Sequence, residues 1–123
     1  MARFLSTVGA EDATRIRSAA LRDATVVQLL RAVDSISANI AEGYSRFSGR
    51  ERARFYEIAL GSAREAREWY ARLSGPLGAH AVAQRTDLLN HIVRILTYAI
   101  PEERAGASER RMSARRKLGK ADA

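Results

Sequence analysis

The chain has 123 residues, no cysteine, and 21 Lys and Arg against 14 Asp and Glu, which gives a formal net charge of +7. This length is typical of one domain that folds without metals, and the missing cysteines exclude disulfides, thiolate zinc sites and cysteine nucleophiles. No apolar run reaches the ~18 residues of a membrane span, and residues 1–10 lack the apolar segment of a secretory signal. We therefore expect a cytoplasmic protein without membrane contact.

Apolar residues recur at helical spacing and nowhere alternate as in strands, so we predict an all-α four-helix bundle over residues 1–100. The first helix is weakly patterned and is predicted over 11–20, with Ile16 and Ala19 or Ala20 inward; an earlier start, towards Phe4 and Leu5, is the alternative, which Gly9 disfavours. The second helix carries a clear apolar row at steps of three and four: Val26, Leu29, Leu30, Val33, Ile36, Ile40 and Tyr44.

Two further helices follow. The third is predicted over 50–73, because Ser48 and Glu51 match a capping box and a Ser-Gly-Pro sequence ends the periodic segment. The fourth is predicted over 81–100, closed by Pro101. Its apolar face is wider than the core of a bundle requires, so the surplus could face another subunit.

The remaining segment, 101–123, contains seven cations and four anions and few apolar residues. We predict a basic, disordered tail that becomes helical on a partner. Its cations are candidates for contacts with nucleic-acid phosphates, above all those that follow Ser108: Arg110, Arg111, Arg115, Arg116, Lys117 and Lys120.

A second group of cations lies between the second and third helices: Arg46, Arg50, Arg52 and Arg54. Cations at the start of a helix are disfavoured by its dipole, so their presence suggests a function such as phosphate binding; a solvated charged surface is the alternative. Tyr44, Phe47, Phe55 and Tyr56 lie among them. Aromatic side chains beside arginines can stack on unpaired bases, although the spacing of Phe55 and Tyr56 favours core packing.

Catalytic patterns are missing. His80 and His91 would lie about 16 Å apart on one helix, too far to share a metal, and no phosphate-binding loop or nucleophile elbow is present. We therefore expect a protein that is not an enzyme and has no cofactor. Asn39 and Glu42 border the apolar row of the second helix. They could grip a ligand or RNA, but we favour a structural network with Asn39 fixing the helix register and Glu42 paired to an arginine of another helix.

The run Ser-Ile-Ser-Ala-Asn-Ile-Ala-Glu-Gly-Tyr over 35–44, followed by Phe-Tyr-Glu-Ile-Ala-Leu-Gly-Ser over 55–62, resembles the signature of the 23S ribosomal RNA intervening sequence proteins. The resemblance implies an up-down-up-down bundle, often a homopentamer, and carries over no catalytic residue. The family is also similar to the accessory protein of diversity-generating retroelements, which binds a reverse transcriptase and its template RNA. The residues that match the motif are read as packing and register residues: Asn39, Glu42, Gly43, Gly61 and Ser62.

Our first expectation is therefore a non-catalytic nucleic-acid-binding accessory protein that favours RNA over DNA. A reverse transcriptase is its candidate protein partner, and a homopentamer is the favoured assembly. The alternative is a homo-oligomeric scaffold whose basic surface docks an acidic protein. A nucleic-acid binder should lose affinity steeply with salt, whereas a scaffold should depend on the surplus apolar face of the fourth helix.

Overall fold

The computed structural model describes the backbone of residues 1–18 and 23–121, and the side chains of 1–14, 24–106 and 112–120. These ranges form five helices: α1 Ala2–Ser18, α2 Asp23–Tyr44, α3 Gly49–Arg72, the single turn α4 Ser74–Leu77, and α5 Ala79–Ala121. These residues include no strand, so the all-α prediction is confirmed. Within the same ranges, no helix combines the length and apolarity needed to cross a membrane.

Consecutive long helices pack against each other in antiparallel order, because contacts farther along one helix are made to residues that come earlier in the other helix. In chain order the pairs are Ser6 with Ser37 and Gly9 with Val33, then Ser35 with Ser62 and Gly43 with Tyr56, then Arg52 with Glu103 and Arg67 with Asn90. The core between them combines Val26, Leu29, Val33 and Ile36 of α2 with the small residues Ala59, Ala63 and Ala66 of α3 and with Leu89, Ile92 and Leu96 of α5.

The first helix begins at Ala2 and not at position 11, so the alternative with the earlier start is the correct one. Leu5 and Val8 are both buried and place an apolar face of α1 against the bundle. Gly9 allows the close approach that this requires, because a Cβ there would come within 3.3 Å of the Val33 side chain. Gly9, which disfavoured the earlier start in the sequence, is thus a packing position. The predicted inward residues Ile16, Ala19 and Ala20 lie outside the described side chains.

The helix predicted to end at Pro101 continues through it to Ala121, so that boundary is wrong. The sequence analysis predicted a disordered tail here, but residues 101–121 are helical in the structure. Proline removes one backbone hydrogen bond from a helix interior and usually ends the helix. Here the next turn is held from outside, because Glu103 pairs with Arg52 and Arg104 pairs with Glu57, both on α3.

The apolar face of α5 is only partly covered. Leu89, Ile92, Leu96 and Ile100 are buried, whereas Ile95 is 50% exposed and Tyr98 is 72% exposed. The predicted surplus of apolar residues on this helix is therefore present at the surface of the single chain.

Candidate nucleic-acid interface

The turn between α2 and α3 is built from local signals in the sequence. We call residues 44–54, the end of α2 with the start of α3, the α2–α3 corner. The Ser48 Oγ accepts a hydrogen bond from the Glu51 backbone N–H at 3.1 Å, as the capping box predicted. Gly43 lies one residue before the corner and allows α3 to come close, because a Cβ at this position would lie 2.8 Å from Tyr56 and 3.0 Å from Phe55.

Two of the four arginines of the corner are engaged within the protein. Arg46 pairs with Glu42, and its guanidinium lies over the Phe55 ring, 4.9 Å from the centroid. The Arg52 Nε donates to Glu103 Oε2 at 2.8 Å, while its Nη1 donates to the Arg46 carbonyl at 2.9 Å. These partners offset the cost of cations near a helix start, so Arg46 and Arg52 stabilise the corner.

The other two arginines are exposed. Arg50 and Arg54 are four residues apart on α3 and therefore neighbours on its surface, and neither forms an ion pair within the described part of the chain. They line an open cleft of about 720 Å³ together with Ser48, Glu51, Glu57 and Arg104. Of the four predicted arginines, Arg50 and Arg54 are the ones available to a ligand.

The predicted basic tail extends α5 beyond the bundle. We call residues 105–121 the arm; as a helix it is roughly 25 Å long. The side chains of 112–120 are all exposed, including four of the predicted cations: Arg115, Arg116, Lys117 and Lys120. The other two, Arg110 and Arg111, lie on the helical backbone of the arm but outside the described side chains.

Tertiary structure brings the two predicted clusters to one end of the bundle. The turn that precedes the arm is held against the start of α3 by the Arg52–Glu103 and Arg104–Glu57 pairs. Arg104 also lines the same cleft as Arg50 and Arg54. The arm therefore leaves the bundle beside the α2–α3 corner, and its first cation with a described side chain, Arg115, lies about 16 Å farther along the helix than Arg104.

The four aromatic residues of this region divide into two pairs. Tyr56 is buried in the core, so core packing is confirmed for Tyr56, whereas Phe55 is half-buried beneath Arg46. Burial and, secondarily, the Glu103 carboxylate raise the pKa of the Tyr56 hydroxyl. Tyr44 and Phe47, by contrast, are 82% and 100% exposed.

The residues of the family-like motif have different structural roles. The Asn39 amide donates to the Ser35 carbonyl at 2.8 Å and to its Oγ at 3.1 Å, and that Oγ lies 2.8 Å from the Ser62 Oγ on α3. Asn39 thus supports the α2–α3 register through Ser35. Glu42 pairs with Arg46 four residues later and not with another helix, so that prediction is wrong. Gly61 faces open space.

At the opposite end of the bundle is a polar cluster that the sequence analysis missed, and we call Asp12, Tyr70 and Arg85 the buried triad. Asp12 is fully buried; its carboxylate accepts from the Tyr70 hydroxyl at 2.8 Å and from Arg85 Nε and Nη2 at 3.0 and 3.1 Å. Burial and the hydrogen bond to Asp12 raise the pKa of Tyr70, and the same carboxylate raises the pKa of Arg85.

The triad ties α1, α3 and α5 together. In the sequence, none of its three residues was marked as part of a cluster. The available signal was Asp12 itself, a charged residue on the face of α1 that also carries Leu5 and Val8. His80 and His91 are both exposed. Within the described residues, no group of three or more His, Asp or Glu side chains could hold a metal ion.

These features define a basic helical-bundle protein with exposed cations at one end. The family model for the 23S rRNA-intervening sequence protein matches residues 17–98, two thirds of the chain, and the chain belongs to that family. Searches of curated proteins and of solved structures gave no match.

Proposed function

We propose that this protein is a non-catalytic, cytoplasmic accessory protein that binds RNA through the exposed arginines of the α2–α3 corner and the cations of the arm. The observation that carries the proposal is the joining of these two clusters at one end of the bundle. The corner contributes Arg50 and Arg54, and the arm contributes an exposed helix with at least four cations. A nucleic acid that reached both clusters would be held over a greater length than either cluster offers alone.

Such a surface suits a phosphate backbone. Guanidinium groups can form paired hydrogen bonds to phosphate oxygens, and contacts of this kind position a nucleic acid without reading its sequence. Each neutralised phosphate releases counterions, so affinity should fall steeply with salt. We place RNA before DNA because the family description concerns a ribosomal RNA intervening sequence.

The partner and the assembly are part of the proposal. Resemblance to the accessory protein of diversity-generating retroelements makes a reverse transcriptase the protein partner to test first. A homo-oligomer, with the pentamer favoured by that resemblance, would multiply a weak contact per subunit by avidity. The exposed Ile95 and Tyr98 on α5 supply apolar surface for such an assembly.

The test is binding of fluorescently labelled RNA, measured by anisotropy across a salt series. A corner variant carries Arg50→Gln and Arg54→Gln; an arm variant replaces Arg115, Arg116, Lys117 and Lys120 with Gln. The matched control carries Arg64→Gln and Arg94→Gln, two exposed arginines outside both clusters. Substitution is preferable to truncation after Ile100, which would also remove the Glu103 and Arg104 contacts that hold α3.

The slope of log affinity against log salt should be shallower in each variant than in the wild type, by about 0.7–0.9 for each phosphate contact removed. For the corner variant this difference is up to about 1.8. The arm variant should lose more, and the control should match the wild type. Absence of binding by the wild-type chain at low salt, or equal losses in the control, would contradict RNA binding at this surface.

A second candidate function is a homo-oligomeric scaffold that docks an acidic protein. It is favoured by an apolar groove of about 380 Å³ between the start of α1 and the middle of α5, lined by Ala2, Ile40, Ile92, Ile95 and Ala99 among others. A scaffold should lose assembly on Ile95→Ser, seen by light scattering, and its partner binding should depend on that assembly more than on the arm cations.

A further inference from the structure

Phe47 is exposed in a turn whose backbone is fixed on both sides. The Arg46 carbonyl just before it accepts from Arg52 at 2.9 Å, and Ser48 just after it caps α3. The turn is also closed from α2, because the Arg46 N–H donates to the Gly43 carbonyl at 3.1 Å. A fully exposed aromatic ring on a fixed backbone is a preorganised contact surface, since ordering the turn requires no further loss of entropy on binding.

Tyr44 gives the same end of the bundle a second ring. It ends α2 three residues before Phe47 and is 82% exposed. Of the neighbouring aromatics, Tyr56 is buried in the core and Phe55 is half-buried beneath Arg46, so Tyr44 and Phe47 are the two exposed rings of this corner. The start of α1 lies close by, because Met1, Ala2 and Tyr44 line one open groove.

The charges around the two rings favour a nucleic acid over an apolar partner. Phe47 is followed three residues later by Arg50 and then by Arg54, both exposed and without an ion pair in the described part of the chain. Burying these arginines against an apolar surface would cost free energy without compensation. A chain of phosphates with bases attached offers both chemistries, phosphate for the arginines and a flat π-face for each ring.

From this arrangement we propose that the α2–α3 corner takes unpaired nucleotides, with the Tyr44 and Phe47 rings stacking on bases while Arg50 and Arg54 hold the adjacent phosphates. The bases of a duplex are stacked on each other and cannot receive a protein ring without being unstacked, whereas a single strand or a loop presents them. The inference rests on the proposed RNA binding and adds the class of RNA that the corner selects.

The experiment compares two labelled probes by anisotropy at one salt concentration: an RNA of ~20 nucleotides without secondary structure and a duplex of the same length, both longer than a single-strand site. The wild-type chain should prefer the unpaired RNA. Tyr44→Ala and Phe47→Ala should each weaken that complex by at least about fivefold, the lower bound for loss of one stacked base, and should leave duplex binding unchanged.

Three further variants separate stacking from other roles of an exposed ring. Phe47→Leu keeps apolar bulk but lacks the flat π-face, so it should weaken unpaired RNA like Phe47→Ala, whereas Phe47→Trp should retain affinity. Phe4→Ala removes an exposed ring of α1 outside the corner and should have no effect. Light scattering on each variant confirms that the mass of the assembly is unchanged.

The outcomes distinguish the inference from the function beneath it. If neither probe binds, RNA binding itself fails and the inference fails with it. If both probes bind equally well, or if the aromatic variants weaken both to the same degree, the chain is an RNA binder whose corner does not select unpaired bases. If Phe47→Leu behaves like the wild type, or if Phe47→Ala changes the assembly mass, the ring packs against protein and the stacking inference is overturned.

Discussion

The two ends of this bundle use the same chemistry, arginine with carboxylate, for different purposes. At one end, the buried triad encloses Asp12 completely and leaves Arg85 only 14% exposed. About 27 Å away along α3, the α2–α3 corner forms ion pairs at the surface and leaves Arg50 and Arg54 exposed. The comparison teaches that burial decides the role of an arginine. Arg85, buried against a carboxylate, stabilises the fold, whereas the exposed Arg50 and Arg54 are available to a ligand.

The largest effect should follow from breaking the triad. Arg85→Met leaves the Asp12 carboxylate buried without its charged partner, which should lower the free energy of unfolding by about 3–5 kcal/mol. Urea denaturation measures it. The double variant Asp12→Leu with Arg85→Met removes the orphaned charge and should recover much of that loss. A loss of less than about 1 kcal/mol in the single variant, the range of a surface pair, would remove the distinction between the two ends.

Packing at the corner should be the next most sensitive feature. Gly43→Ala places a methyl group 2.8 Å from the Tyr56 ring, so something must shift, and we expect a loss of about 1–3 kcal/mol. Gly61→Ala is the matched control within the same motif. It meets nothing within 4 Å and is exposed on α3, so it should stabilise the helix by about 0.5–1 kcal/mol. Equal effects of the two substitutions would contradict the different roles assigned to these glycines.

The triad also predicts a dependence on alkaline pH. Because the pKa of Tyr70 is raised above its ordinary value of 10.0 in the folded state, the stabilisation is fully present below pH 10 and is lost as pH rises beyond it. Through Tyr70 alone, the free energy of unfolding should fall by up to about 1.4 kcal/mol per pH unit above pH 10. Tyr70→Phe should remove this part of the slope in urea titrations at several alkaline pH values, and Tyr98→Phe should not.

The smallest effect on global stability should come from Arg52→Gln. The Arg52–Glu103 pair is partly exposed, so its loss should cost about 1 kcal/mol or less. Its local effect should be clearer: amide hydrogens just beyond Pro101 should exchange faster, because this pair helps to hold the helix after the proline. Arg64→Gln serves as the control. Unchanged exchange at 102–106 would mean that the helix continues past Pro101 without this contact.

The sequence by itself determined most local structure. Apolar residues at steps of three and four located α2 and α3, and the Ser48–Glu51 capping box with the Ser-Gly-Pro sequence located the ends of α3 to within one residue. These features depend on neighbours within a turn or two of helix, which the sequence lists directly. The motif over 35–62 likewise indicated the family to which the chain belongs.

Tertiary structure alone decided the rest, because the deciding contacts join residues distant in the chain. Pro101 predicted a helix end, and contacts with Arg52 and Glu57, about 50 residues earlier, hold the next turn in place. Four arginines at the corner were equivalent by spacing, but Glu103 engages Arg52, while Arg46 pairs with Glu42 and lies over the Phe55 ring. The buried triad joins three helices across 73 residues. The spacing of apolar residues indicates which face of a helix is buried, but it does not indicate which charged side chain pairs with another in the interior.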